Sequence, residues 1–308
     1  MILSDSLKKI LGQELMENVP LAPLSTMGVG GCAELYFEPR KLEDLVLAKK
    51  LCDETATNFR IIGGGSNIIV DDSGLSGLVI STRALNKIRL YPARGGTVSV
   101  VADSGVKLGK IVGTALKESL TGMEFAVGIP GTIGGALFGN AGTMGCSISD
   151  VVDWIDIVDM DGNIVRKYSR QLKWGYRRSE FSAMKECIIA GAKLRLSTAP
   201  KEDIVALSRL FEQKRINQPY KDKSAGCVFK NPDGDSAGRL LEEAGCKGMK
   251  KGNAEISDVH ANFIINLGGA TFHDIMWLIA MCKDRVRDRF GVTLSTEVRI
   301  FSDALSEI

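Results

Sequence analysis

Three consecutive glycines, Gly63, Gly64 and Gly65, interrupt two β-branched runs in the stretch IIGGGSNIIV (61–70). Glycine tolerates positive φ and carries no Cβ, so such a segment can turn backbone N–H groups towards an anion and let it come close. Ser66 and Asn67 add side-chain donors. A triphosphatase phosphate loop needs Lys and Ser/Thr at a helix start. Here Ile-Ile-Val follows, which resists helix. The G-x-G-x-x-G dinucleotide fingerprint does not fit either. Two readings of this stretch stand: a strand–loop–strand corner that cradles an anion, and a tight turn between strands. A second segment, GIPGTIGGALFGNAG (128–142), holds six glycines in fifteen residues. The candidates for ligand contact there are Gly128, Ile129, Pro130, Gly131, Gly134, Gly135 and Asn140. Two glycine-rich loops suit a long ligand with a diphosphate in its middle, as in a flavin dinucleotide.

The rest of the composition narrows the chemistry. Seven cysteines without C-x-x-C spacing and only two histidines, His260 and His273, argue against a disulfide framework and a metal site. They fit a reducing, cytoplasmic compartment. A net charge of +2 gives no electrostatic case for nucleic acid or a membrane surface. The longest apolar run, IMWLIAMC (275–282), is far short of a membrane span. The N-terminal stretch MILSDSLKKILGQEL has no signal-peptide pattern. It reads as an amphipathic helix with Leu7, Ile10, Leu11 and Leu15 on one face.

The elements that must position these residues follow from periodicity. Helices are expected at 41–55, 106–119, 200–218, 236–245 and 270–291, the last with Thr271 as N-cap and Gly291 past its end. Strands are expected at 59–62, 67–70, 77–82, 98–103, 187–196 and 296–301, and a hairpin at 154–168 turns on Asp161-Gly162. The pattern changes near Pro200, so a domain boundary is expected at 197–201.

Taken in order, IIGGGSNIIV, GIPGTIGGALFGNAG, YRRSEF, SAGCVFKNP and TEVRIF resemble the motifs of the UDP-N-acetylenolpyruvoylglucosamine reductase family. The segment NVPLAPLSTMGVGGCAELYFEP (18–39) resembles the family's entry segment. The resemblance covers essentially the whole chain. It implies an α+β fold: a vanillyl-alcohol-oxidase-type FAD-binding domain of two α+β subdomains at 1–198, then a smaller α+β substrate-binding domain at 199–308. It implies non-covalent FAD, NADPH as co-substrate, and a UDP-sugar enolpyruvyl ether as substrate in peptidoglycan synthesis. Neither glycine loop holds a His or Cys for a covalent flavin link. Only five residues separate YRRSEF from CIIAG, which resembles the shorter variety of the family, without the extra loop whose tyrosine covers the substrate.

The resemblance also assigns roles. Arg177 matches the active-site arginine, and a guanidinium fork suits a planar carboxylate. Cys227 stands where many members have serine as proton donor. A thiol, with a reference pKa near 8.5, is a competent acid and also oxidisable. Glu297 matches the catalytic glutamate. On a strand it shares a face with Arg299, opposite Val298 and Ile300. Tyr176, Arg215, Lys230 and Asn231 align with substrate contacts. The remaining six cysteines are expected to be packing residues, His260 is as readily structural as functional, and His273 is expected to be exposed. An oxidase of the same flavin fold is disfavoured, because it wants a base rather than a proton donor and an arginine clamp. A non-catalytic flavin module is disfavoured by the presence of Arg177, Cys227 and Glu297 together.

Overall fold

The computed structural model describes residues 11–93, 95–184 and 187–304, with Gln13 described in its backbone alone. The chain forms two compact units: 1–16, 35–64 and 78–216 in the first, 17–34, 65–77 and 217–308 in the second. This division differs from the single cut expected at 197–201. The helix Lys201–Gln213 stays with the first unit, and two short early segments join the second. The reason is local: strands Cys32–Phe37 and Leu75–Ser81 each run from one unit into the other, so the cuts fall inside continuous secondary structure.

In the first unit an antiparallel sheet runs in the order Ile164–Tyr168, Val152–Val158, Ile188–Thr198, Thr97–Asp103, Ile88–Pro92. Its long central strand alternates buried and partly exposed residues, and its registers run Gly191 opposite Asp103 to Ser197 opposite Thr97. Helices Leu108–Lys117 and Ile133–Gly139 contribute Ile111, Ala115, Ile133 and Leu137 to the core with Ala192 and Leu194. The hairpin forms as expected: the Asp159 carboxylate accepts from the N–H groups of Asp161 and Asn163, and Gly162 sits at φ +72°. A second core gathers Leu45, Ala48 and Leu51 of the helix Leu42–Glu54 with Phe37, Leu78 and Ile80. Strand Phe59–Ile62 pairs parallel with the end of Leu75–Ser81, Ile62 lying opposite Ser81.

In the second unit the antiparallel order is Lys223–Cys227, Phe263–Asn266, Ala254–Ile256, Lys250–Lys251. The helices Ala237–Glu243 and Phe272–Phe290 bring Leu240, Leu241, Ile275, Leu278 and Val286 into its core. Thr271 and Asp274 form a reciprocal capping box, and Gly291 ends the helix at φ +69°. Ile68–Val70 pairs parallel with Arg299–Phe301.

Three expectations change. The N-terminal helix lies mostly outside the described residues. Within them Leu11 is helical, Gly12–Glu14 is a 3-10 turn, and Leu15 opens a strand, Leu15–Pro20. The TEVRIF strand is shorter than expected and begins at Arg299, with Glu297 in the bend before it. The expected alternation survives in burial: Val298 and Ile300 are buried, Glu297 and Arg299 half-buried. Cys32 and Cys146 are exposed rather than packed. No described helix is long and apolar enough to cross a membrane, and no group of three or more His, Cys, Asp or Glu among the described residues is placed to hold a metal ion.

One buried charge in the first unit gives a stability test. Lys49 is 1% exposed, and its ammonium donates to both carboxylate oxygens of Asp53 at 2.6 and 2.7 Å and to Met160 O at 3.3 Å. Asp53→Ala strands that ammonium and should cost about 3 kcal/mol, whereas Lys49→Met, which keeps the apolar stem, should stay within about 1 kcal/mol of the parent. Urea unfolding of both variants checks this; equal losses would contradict it.

Candidate functional site

The two glycine segments meet in the first unit. A Cβ built on Gly64 would lie 2.7 Å from Gly131 Cα, and one on Gly63 would lie 2.4 Å from Thr132 Oγ1. Real Cβ atoms do not come so near, so glycine is required at Gly64 by one loop backbone resting on the other and at Gly63 by the Thr132 side chain packed against it. Thr132 caps the helix Ile133–Gly139 through the N–H of Gly135, at 3.5 Å. The N–H groups of Ile133 and Gly134 donate to Val106 O and Ser104 O, both at 2.8 Å. That helix start is therefore spent on the protein itself. The backbone of the first loop differs: the N–H groups of Gly64, Gly65, Ser66 and Asn67 have no hydrogen-bond partner among the described residues. Donors left open on a loop with no side chains in the way suit a phosphate-bearing cofactor. In the second loop Gly128, Pro130 and Gly135 are exposed, Ile129 is half-buried, and the Arg215 side chain comes within 3.7 Å of a Cβ built on Gly128.

Arg177 sits at the tip of a tight hairpin in the same unit, with Gly175 opposite Arg178. Three side chains bolt this hairpin to the second glycine segment. Asn140 Nδ2 donates to Gly175 O at 2.9 Å, Arg177 Nη1 to Gly142 O at 2.7 Å, and Ser179 Oγ to Phe138 O at 2.7 Å. Asn140 also accepts from Ser149 N–H and holds a left-handed backbone at φ +45°. Its side chain is thus engaged by the protein, and its local part is to position the hairpin. Arg177 itself adopts φ +50°, uncommon for a residue with a side chain. Its guanidinium lies 5.5 Å from the Tyr176 ring, whose residue is 57% exposed.

In the second unit the residue after Cys227 pairs with Glu297 through the backbone. Glu297 N–H donates to Val228 O at 2.7 Å, Phe229 bridges Thr296, and Lys230 N–H donates to Ser295 O at 2.9 Å. Asn67 joins them: its Nδ2 donates to Glu297 O at 3.2 Å, and its carbonyl accepts from Arg299 N–H at 3.0 Å. Cys227 is half-buried and lies opposite Phe263. Lys230 is half-buried and Asn231 exposed. The Asn231 side-chain oxygen accepts from Ala237 N–H at 3.0 Å, at the start of a helix. His260 is structural: Nδ1 accepts from Asn262 N–H at 3.2 Å, the ring meets Phe263 edge-on, and burial pushes its pKa down. His273 is exposed, as expected.

Sequence reasoning missed Arg83. Its Nε donates to Gly63 O at 2.9 Å and its Nη2 to Gly64 O at 3.3 Å. The signal was the strand register: with Ile62 opposite Ser81, residue 83 falls beside the glycines.

The chain is similar to known proteins over nearly its whole length. The family profile described as "FAD binding domain" matches residues 33–167, and that described as "UDP-N-acetylenolpyruvoylglucosamine reductase, C-terminal domain" matches 218–301. A UDP-N-acetylenolpyruvoylglucosamine reductase of Carboxydothermus hydrogenoformans is 39% identical over 302 residues, 98% of each chain. The chain belongs to the UDP-N-acetylenolpyruvoylglucosamine reductase family. A relative of the same name from Rubrobacter xylanophilus is 37% identical over 92% of this chain and 94% of its own. The crystal structure of UDP-N-acetylenolpyruvylglucosamine reductase from Thermus caldophilus superposes with a TM-score of 0.79 at 34% identity, covering 93% of this chain and 98% of that one. As a member of the UDP-N-acetylenolpyruvoylglucosamine reductase family the chain is an FAD-dependent oxidoreductase of peptidoglycan precursor synthesis, and its fold is α+β.

Gly64→Val tests the loop contact. The branched side chain must push the second glycine segment away, so the protein should retain less FAD after gel filtration and melt at a lower temperature. Full flavin content and an unchanged melt would show that the close approach is dispensable.

Proposed function

We propose that this chain reduces the enolpyruvyl ether of UDP-N-acetylglucosamine to UDP-N-acetylmuramate at the expense of NADPH, in the cytoplasm. When bound, FAD supplies two-electron hydride transfer between NADPH and the enolpyruvyl β-carbon. Gly63–Asn67 and the segment holding Gly128–Gly131, Gly134, Gly135 and Asn140 are the residues that would hold it. Hydride addition at the β-carbon leaves negative charge on the α-carbon and its carboxylate, and a proton must then reach the α-carbon. Arg177 binds that carboxylate through its guanidinium fork. Glu297 hydrogen-bonds the developing enolic oxygen, and Cys227 delivers the proton from its thiol. Tyr176, Arg215, Lys230 and Asn231 bind the rest of the substrate.

The observation that carries this reading is the bond from Glu297 N–H to Val228 O. It pairs Glu297 with the residue that follows Cys227, and Asn67 of the glycine segment is hydrogen-bonded to the same glutamate. A chance pair of polar residues on unrelated loops would lack that ladder. The strained backbone of Arg177 supports a selected role for its side chain, since glycine would adopt φ +50° at less cost.

Separating the two half-reactions tests the assignment. In Cys227→Ala, bleaching of the flavin by NADPH should stay within about twofold of the parent, while reoxidation by the enolpyruvyl substrate should slow by about 10²- to 10⁴-fold. Equal damage to both would indicate a structural cysteine. Cys227→Ser should retain turnover, and it should resist alkylating reagents that inactivate the parent and against which the substrate protects. Full activity of a parent enzyme alkylated at Cys227, as shown by mass spectrometry, would remove Cys227 from the mechanism.

A further inference from the structure

The fork of Arg83 closes on two successive carbonyls of the first glycine segment, Gly63 O at 2.9 Å and Gly64 O at 3.3 Å. Each carbonyl belongs to a peptide unit whose N–H is carried by the next residue, Gly64 and Gly65 respectively. None of the described peptide bonds is cis, so in both units the N–H points away from its carbonyl. A guanidinium that fixes the two oxygens on one side therefore fixes two N–H groups on the other. Those N–H groups have no partner among the described residues. Without the clamp both peptide planes are free to flip, since glycine accepts either orientation. The strand end that carries Arg83 is itself hydrogen-bonded to its surroundings. Ser81 Oγ and Tyr36 OH both donate to Glu38 Oε2 at 2.8 Å, Arg83 N–H reaches Ser81 Oγ at 3.5 Å, and Tyr36 is buried.

We propose that Arg83 is a positioning residue for the cofactor: by gripping the carbonyls of Gly63 and Gly64 it presents the N–H groups of Gly64 and Gly65 to the FAD diphosphate. It acts from behind the loop, and the positive charge polarises the two peptide dipoles towards the phosphate. The inference rests on the reading that the glycine segments hold FAD. Lysine is a poor replacement, because a single ammonium lacks the planar fork that spans two carbonyls.

The test uses the full chain, stripped of flavin and titrated with FAD by fluorescence quenching. Arg83→Met should raise the Kd for FAD by ~10-fold or more, the scale of a lost charge-assisted hydrogen bond. Arg83→Lys should fall between Met and the parent. Millimolar guanidinium should restore tight binding to Arg83→Ala and leave Gly64→Val unrestored, a response that general loosening of the fold would not give. A Kd within twofold of the parent in Arg83→Met, or a loss in Arg83→Ala that guanidinium does not reverse, overturns the clamp while leaving FAD in the loops. A parent chain that binds no FAD at all overturns the reading beneath it.

Discussion

Where Gly64 meets Gly131 two backbones touch with no side chain between them, and beside them Gly63 lies against the Thr132 side chain. Much of the first unit is arranged around keeping that contact. Gly131 also accepts from Leu108 N–H, which ties it to the helix Leu108–Lys117, and Thr132 starts the helix that buries Ile133 and Leu137. On the other side Arg83 holds the two glycine carbonyls. A single methyl group at either glycine would have to displace elements at both ends of this chain of contacts. The loops are glycine-rich for packing first, and the open donors that suit a phosphate follow from the same absence of side chains.

The second unit solves a different problem. Cys227 and Glu297 come to lie on adjoining backbone without sharing one strand, where a common face would fix them two residues apart. Here Cys227 ends one strand and Glu297 lies in a bend before another, and the Val228 carbonyl joins them. The bend leaves the Glu297 side chain half-buried while Val298 turns into the core.

Much of this was legible in the residues themselves. The glycine segments, the hairpin at Asp161-Gly162 and the capped helix ending at Gly291 carry local signals that tertiary contacts did not override. What stayed hidden depends on register and on long-range pairing. Arg83 looks like an ordinary surface arginine until Ile62 is known to lie opposite Ser81. Asn140 reads as part of a ligand loop, and its bond to Gly175 O, thirty-five residues on, has no sign in the sequence. Cys32 and Cys146 are small and apolar enough to suggest burial, and only the fold shows them at the surface. The division into units was invisible because it cuts through strands, where composition does not change.

That division has a consequence for how the protein is made. The core of the second unit includes Met27, Val29 and Ile69, all at most 2% exposed, alongside Leu278, Val286 and Val298. On the ribosome the early members emerge more than two hundred residues before the late ones. At ordinary elongation speeds their apolar side chains wait roughly 10–50 s for partners still to be synthesised. The first unit can collapse during that interval, but the second cannot finish before the last strand leaves the exit tunnel. Nascent chains of this protein therefore carry an apolar segment without its native partners for most of their synthesis.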